Sequence, residues 1–469
     1  MGNSIGESVK SLRDGCTGRR PVHFFRAIGI AAAALTLAAA PGHAAASQPV
    51  GSFALQPRPT GQSIADFYRG RNGYPLWLSP TAGDAPQQLI TLLSSANLDG
   101  LYPDKYHVAD LQRALAAARA PKAKKKQVDE AEQQLSDAFV AYVGDLMRDP
   151  NIGILYVDPA LRPKPPSPLA ALLGAAIAPS LSAYVSNMGW MHPYYAQLRA
   201  ALQGHQYSDE HQHQLLALNL ERARALPAGR QRYVVVNAAQ QRLYMFENGR
   251  VVDSMVVVVG KPKYPTPMMT AYIRFASLNP YWYVPPDLAA ERIAPNVVRR
   301  GMRYLDDLGY QVMSDWDEKA EIIDPKTIDW KAVAAGKVEV RIRQLPGPHN
   351  SMGRMKFMFP NEAGVYLHDN PERELFTEAS RLYSGGCVRL EDAARLGHWL
   401  FGYDLDWEAA GTEQRVPLQN FVPVYITYLT ALPDGSSIAY YDDVYGRDAA
   451  RLAATSSASP ASGGAIGTR

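Results

Sequence analysis

Apolar positions recur at two different periods in this chain, and the change near residue 230 divides it. From Ser63 to about Leu226 the spacing is three and four. The stretch DEAEQQLSDAFVAYVGDLMRD places Ala131, Leu135, Phe139, Val143 and Leu146 on one helical face. DEHQHQLLALNLERARAL continues in the same style, with Leu215, Leu218, Leu220, Ala223 and Leu226. RPKPPSP, from Arg162 to Pro168, predicts an extended break between helices. At Gln231 the pattern becomes β-branched and alternating, in RYVVVNAAQQRLYMFENGRVVDSMVVVVG. Asn248-Gly249 lies between two such runs, which predicts a two-residue hairpin of type I′. Further strands are predicted at KVEVRIRQL, MKFMFP, GVYLHD and FVPVYITYLTAL. Between them, residues 286–333 read as a helical, irregular insertion long enough to form a lid. The fold class is therefore α+β, a helical domain followed by a β-rich one.

The N-terminus changes where the protein is expected to work. Arg19, Arg20 and Arg26 precede the apolar, alanine-rich run Ala27 to Ala40, and small-x-small sites follow at 42–44 and 44–46. Residues 1–46 are expected to be a secretory signal peptide, with an uncleaved anchor as the alternative. Residues 47–61 read as a linker, 62–228 as the helical domain, 229–450 as the β-rich domain and 451–469 as a disordered tail. A net charge of +3 from 48 basic and 45 acidic residues is too small and too mixed to argue for nucleic acid.

The two cysteines sharpen the picture. Cys16 falls before the apolar run, so the exported chain is expected to keep Cys387 alone. A single cysteine in an exported protein reads as a reactive thiol or an intermolecular partner, against the alternative of an inert buried residue. Only the thiolate attacks, so a nucleophilic Cys387 needs a base or a positive setting. GVYLH would present His368 at a strand end. Asn370-Pro371 then predicts a short helix running to about Tyr383. Gly385-Gly386 permits an irregular loop whose Gly386 and Cys387 N–H groups could form an oxyanion hole. Arg389 could bind a carboxylate or brace that loop. Each residue has a plainer reading: a structural histidine, a turn, a surface ion pair. Together they point to nucleophilic catalysis. His205, His211 and His213 lie in a polar stretch without a cysteine, so neither a metal nor a cofactor is expected. His398 is expected to be a packing residue.

His368, a gap of about 15 residues and then Ser384-Gly385-Gly386-Cys387-Val388-Arg389 closely resemble the signature of L,D-transpeptidases with a YkuD-type catalytic domain. NAAQQRLYMFENGRVV, VVGKPKYPTP, LNPYWYVP and LPGPHNSMGRMKFMFPN look like its strands and loops. ADFYRGRNGYPLW, LDGLYPDKYH and LNLERARALP resemble the helical scaffold of its larger, periplasmic subfamily. The resemblance implies a helical scaffold domain, a β-sandwich-like catalytic domain with an inserted lid, and a periplasmic location. It implies a cysteine acyltransferase that cross-links peptidoglycan stems through a Cys387 thioester, and sensitivity to carbapenems. His368 would be the base, and Ser384, Gly385 and Gly386 would shape the oxyanion loop. Arg389, Tyr366, Asn350 and Gly353 would support the loop or line the substrate cleft. The partners implied are a donor tetrapeptide stem and an acceptor amine. A carboxypeptidase or a cross-link endopeptidase using the same Cys/His site is the alternative. Many relatives carry histidine or arginine at the position of Gly385, and many insert a peptidoglycan-binding module that is not evident here.

Overall fold

A computed structural model describes residues 63–317 and 319–458. The signal and linker expected over residues 1–61 lie outside the described residues, as do residues 459–469. Among the described residues no helix is long and apolar enough to cross a membrane.

The helical part is built from α1 (Ile64–Gly70), α2 (Ala85–Ser94), α3 (Val108–Ala118), α4 (Lys125–Leu146), α5 (Pro168–Ala176), α6 (Leu181–Ser186), α7 (Pro193–Gln203) and α8 (Glu210–Ala223). The predicted stripe of α4, Ala131 to Leu146, is buried throughout. It packs with Trp77, Leu89, Tyr142, Trp190 and Leu198 in one core. A buried charge pins this core. The Asp99 carboxylate accepts hydrogen bonds from the Tyr142 and Tyr195 hydroxyls, each at 2.7 Å, and from Arg199 Nε at 2.8 Å. RPKPPSP is the predicted break, and Ser167 caps α5 by accepting the Ala170 N–H.

The β-rich part is a sheet closed on itself. Its strands are β1 (Leu155–Tyr156), β2 (Tyr233–Asn237), β3 (Arg242–Glu247), β4 (Arg250–Gly260) and β5 (Met269–Leu278). After the insertion come β10 (Met355–Met358), β11 (Leu367–His368), β12 (Leu382–Ser384), β13 (Val388–Leu390) and β14 (Gln414–Thr427). The order runs β5-β10-β11-β13-β4-β3-β2-β14, and β14 pairs back onto β5, so the expected sandwich is joined into a ring. The β3–β4 hairpin turns at Asn248 and Gly249, at φ +54° and +75°, the conformation a type I′ turn needs. Residues pointing inward, among them Val234, Val257, Ile273, Phe357, Leu367, Val388 and Leu390, form the ring's core.

The insertion departs from the expected helical lid. It carries β6 (Trp282–Val284), β7 (Tyr310–Met313), β8 (Ile322–Ile323) and β9 (Arg341–Gln344), a second sheet in the order β6-β9-β7-β8. Helices α9 (Ala294–Arg300), α10 (Arg303–Asp307) and α11 (Trp330–Ala334) pack on it. KVEVRIRQL supplies β9, which pairs within the insertion rather than with the main ring. A helix (Arg447–Ala458) occupies the first residues of the expected tail, and the rest of it lies outside the described residues. That helix and the segment just after β14 tie the two halves of the molecule: Thr430 and Asn219 exchange two hydrogen bonds, and Arg222 is ion-paired with Asp448.

Candidate active site

Strand register brings His368 and Cys387 together. β11 and β13 are parallel, with Leu367 opposite Val388 and His368 opposite Arg389. The Val388 N–H donates to the Tyr366 carbonyl at 3.0 Å. Side chains alternate along a strand. Leu367 and Val388 point into the ring's core, so Tyr366, His368, Cys387 and Arg389 share the opposite face. Two residues of rise and one strand spacing set the Cys387 and His368 Cα atoms roughly 8 Å apart, a diagonal that side chains can bridge. That face is covered by the insertion: Cys387 belongs to its apolar cluster, with Trp282, Val284, Ile293 and Met352.

His368 is fully buried. Its Nδ1 lies 2.6 Å from the Asp369 carbonyl oxygen, an acceptor that requires the proton on Nδ1. Nε2 is then the basic nitrogen, and it is buried with no hydrogen-bond partner among the described residues. Burial pushes the imidazole pKa down to about 3, the Arg389 charge adds to this, and the Asp369 and Met352 carbonyls oppose it. The ring is thus a neutral acceptor across the physiological range. Cys387 is buried, and its Sγ lies 3.6 Å from the Gly364 carbonyl oxygen.

The loop before Cys387 is held by hydroxyls. Ser384 Oγ donates to the Cys387 carbonyl at 2.6 Å and accepts the Gly386 N–H at 3.0 Å. The Gly386 N–H therefore serves the loop instead of an oxyanion hole, which corrects part of the sequence expectation. Gly386 stands at φ +123°, a conformation that favours glycine. Thr266 adds a second clamp: its Oγ1 donates to the Gly386 carbonyl and accepts the Gly260 N–H, both at 2.9 Å.

Arg389 is a buried brace. Its Nη1 donates to Glu372 Oε2 at 3.1 Å and to Asn370 Oδ1 at 3.3 Å. The helix expected from Asn370 reduces to a 3-10 turn, Arg373–Thr377, because the Asn370 side chain is engaged with Arg389 and with the Glu372 carbonyl. Asn350 is likewise structural rather than a wall of the cleft. Its amide donates to the Pro280, Gln344 and Leu345 carbonyls, and its oxygen accepts the Met352 N–H. Gly353 stands at φ +63°, and a Cβ there would collide with Asp369, beside His368. It is a point of close approach. His398, expected to pack, is exposed and pairs with Asp404.

Tyr366 does face a cleft. A cavity of about 510 Å³ is lined by Tyr281 to Pro286, Trp316, Met352, Lys356, Glu362, Gly364 and Tyr366. It opens beside the Gly364 carbonyl, whose oxygen lies near Cys387 Sγ. Sequence reasoning missed Thr266 and Lys356. Thr266 lies in VVGKPKYPTP, which carries no chemical signature of its own. Lys356 is the charged position within the apolar run MKFMFP, a signal that was present. Among the described residues no group of three or more His, Cys, Asp or Glu side chains is arranged to hold a metal ion.

Comparison with known proteins finds family models that match both parts of the chain. Residues 231–408 match the YkuD family model, the L,D-transpeptidase catalytic domain, and residues 62–202 match the Scaffold domain model. A Haemophilus influenzae protein named "Putative L,D-transpeptidase" is 30% identical over 247 residues, covering 50% of this chain and 48% of that protein. The chain thus spans about half the length of this relative. Among solved structures, an L,D-transpeptidase from Mycobacterium smegmatis aligns at 14% identity with a TM-score of 0.20, covering 42% of this chain and 59% of that one. The catalytic domain of the Enterococcus faecium L,D-transpeptidase aligns at 14% identity with a TM-score of 0.18, covering 42% and 98%. On the family models, the β-rich half of this chain is an L,D-transpeptidase catalytic domain of the YkuD family, and it stands behind a Scaffold domain.

Proposed function

We propose that the protein is a peptidoglycan L,D-transpeptidase, exported to the periplasm, that acts through a Cys387 thioester. The observation that carries this reading is the shared face of β11 and β13. It sets a buried, neutral His368 diagonal to Cys387 at the edge of the 510 Å³ cleft.

In this mechanism His368 Nε2 takes the Cys387 proton as the sulfur attacks the carbonyl at the L-centre of a diaminopimelate residue in the donor tetrapeptide. The sulfur–carbon bond forms and the carbonyl π electrons move to oxygen. The Cys387 N–H is the oxyanion donor we assign, with the Ser384 and Thr266 hydroxyls holding the loop in shape. Collapse expels the terminal D-alanine, whose amine receives the proton from His368. An acceptor amine then attacks the thioester, gives its proton to His368, and leaves Cys387 as the thiol. The apolar insertion over Cys387 favours amine over water. Tyr366 lines the path to the sulfur, and Arg389 acts through Glu372 and Asn370 as a positioning residue.

The test is mass spectrometry of the products formed from disaccharide-tetrapeptide by purified mature protein, beside Cys387→Ala. Thiol titration of the same sample establishes that Cys387 is reduced. A cross-linked dimer lacking one D-alanine, absent from the variant, is the expected result. Tripeptide without dimer would replace the transpeptidase with a carboxypeptidase. Products unchanged by Cys387→Ala would remove the cysteine mechanism.

A further inference from the structure

A lysine stands directly opposite His368. Lys356 pairs with His368 across β10 and β11, and Ser277 pairs with Lys356 across β5 and β10. Cα partners share a face, so Ser277, Lys356, His368 and Arg389 form one row across four adjacent strands. The next row, Ala276, Phe357, Leu367 and Val388, fills the core behind it.

Three observations make Lys356 unusual. Its side chain is only 12% exposed, yet it lines the 510 Å³ cleft beside Gly364 and Tyr366. An ammonium has three donors. Among the described residues one of them is used, at 3.2 Å to Glu413 Oε1. Ser277 Oγ, at its side, is buried with no hydrogen-bond partner among the described residues. Donors left unmatched this deep carry a desolvation cost that a ligand oxygen would remove. Lys356 is also the one cation among the described residues lining the cleft. Glu413 is held from its other oxygen by Tyr283, and Arg415 lends a second positive charge nearby.

We propose that Lys356, with Ser277 beside it, is a carboxylate subsite that takes a free carboxylate of the donor peptide stem and so sets the stem's position over Cys387. The assignment rests on the transpeptidase reading. A carboxylate offers acceptors on two oxygens, which suits the spare ammonium donors and the serine hydroxyl, and the contact is charge-assisted.

The experiment uses full-length mature protein and two donor tetrapeptide stems, one with free carboxylates and one with the diaminopimelate and terminal carboxylates converted to amides. Acylation of Cys387 is followed by intact mass, and KM and kcat are measured for wild type, Lys356→Met and Lys356→Arg. The expected result is a KM for the acidic stem raised roughly 10- to 100-fold in Lys356→Met. The amidated stem should move less than about threefold, and Lys356→Arg should recover most of the loss. Equal effects on both stems, or a folded Lys356→Met with unchanged KM, would overturn the proposal. If Lys356→Met does not fold, wild type alone decides: it must favour the acidic stem by a comparable factor, and parity would overturn the subsite. Failure of wild type to acylate on either stem would instead remove the transpeptidase reading on which the subsite depends.

Discussion

Replacing Arg389 with methionine isolates the brace behind Cys387. Arg389 is 1% exposed and Glu372 7%, and their 3.1 Å contact lies away from solvent. At an effective dielectric of ~20 the gross attraction at that distance is about 5 kcal/mol, against which desolvation of both groups must be set. Methionine fills similar volume but leaves the Glu372 carboxylate buried without its guanidinium. Breaking such a pair from one side costs about 3–5 kcal/mol. For a domain of this size that is a fall of roughly 6–20 °C in melting temperature. Arg389→Met with Glu372→Gln should be milder than Arg389→Met alone, because no charge is then stranded, giving a coupling energy of about 1–3 kcal/mol. Thermal unfolding of the four proteins in the cycle at pH 7 measures it. A loss below about 1 kcal/mol in Arg389→Met, or strict additivity in the double variant, would refute the claim that this pair fixes the strand bearing Cys387.

Four further outcomes follow from the same geometry. By imidazole NMR, His368 should show no titration between pH 5 and 8, since its folded pKa of about 3 lies below the ordinary 6.5; a midpoint near 6.5 would refute its burial. His192 is depressed in the same way by burial. The folded state excludes both protons, so this stability is complete above pH ~6.5 and is lost as pH falls toward 3. The slope is up to ~1.4 kcal/mol per pH unit for each ring, read from denaturant midpoints across that window. Thr266→Val removes the hydroxyl between Gly260 and Gly386; it should cost about 1–3 kcal/mol and slow acylation of Cys387, whereas unchanged acylation would remove its role in the loop. Asp99→Asn strips the charge shared by Tyr142, Tyr195 and Arg199. It should destabilise the helical half by about 3–5 kcal/mol, seen as an earlier transition by circular dichroism.

Local pattern was enough for several of the elements. The α4 stripe, the Asn248-Gly249 hairpin and the change of period near residue 230 are each set by neighbours within a few positions, and each stands where expected. His368 and Cys387 were singled out for their setting beside a strand end and a glycine pair, and strand register sets them on one face; their catalytic roles belong to the proposal. What escaped the sequence is set by partners far along the chain. Asn370 has the composition of a helix cap, but its side chain is claimed by Arg389, 19 positions on, and the helix shrinks to a single turn. Asn350 reads as a residue lining the cleft, yet the Pro280 carbonyl, 70 positions back, helps to bury it. KVEVRIRQL reads as a strand, but its alternation cannot say which sheet it joins.

Register is the deepest case of this kind. Alternation in MKFMFP and in GVYLH assigns Lys356 to the face opposite Met355 and Phe357, and His368 to the face opposite Leu367. It does not say that these two faces are one face. That follows only from the pairing of Lys356 with His368, and a slip of one residue would send Lys356 into the apolar core. The core forbids the slip: Phe357 and Leu367 are both fully buried, and exchanging them for lysine and histidine would bury two polar groups without partners. The same apolar residues that hold the ring together therefore also fix the row of Lys356, His368 and Arg389 beside Cys387. The chemistry of this face is a consequence of packing on the other.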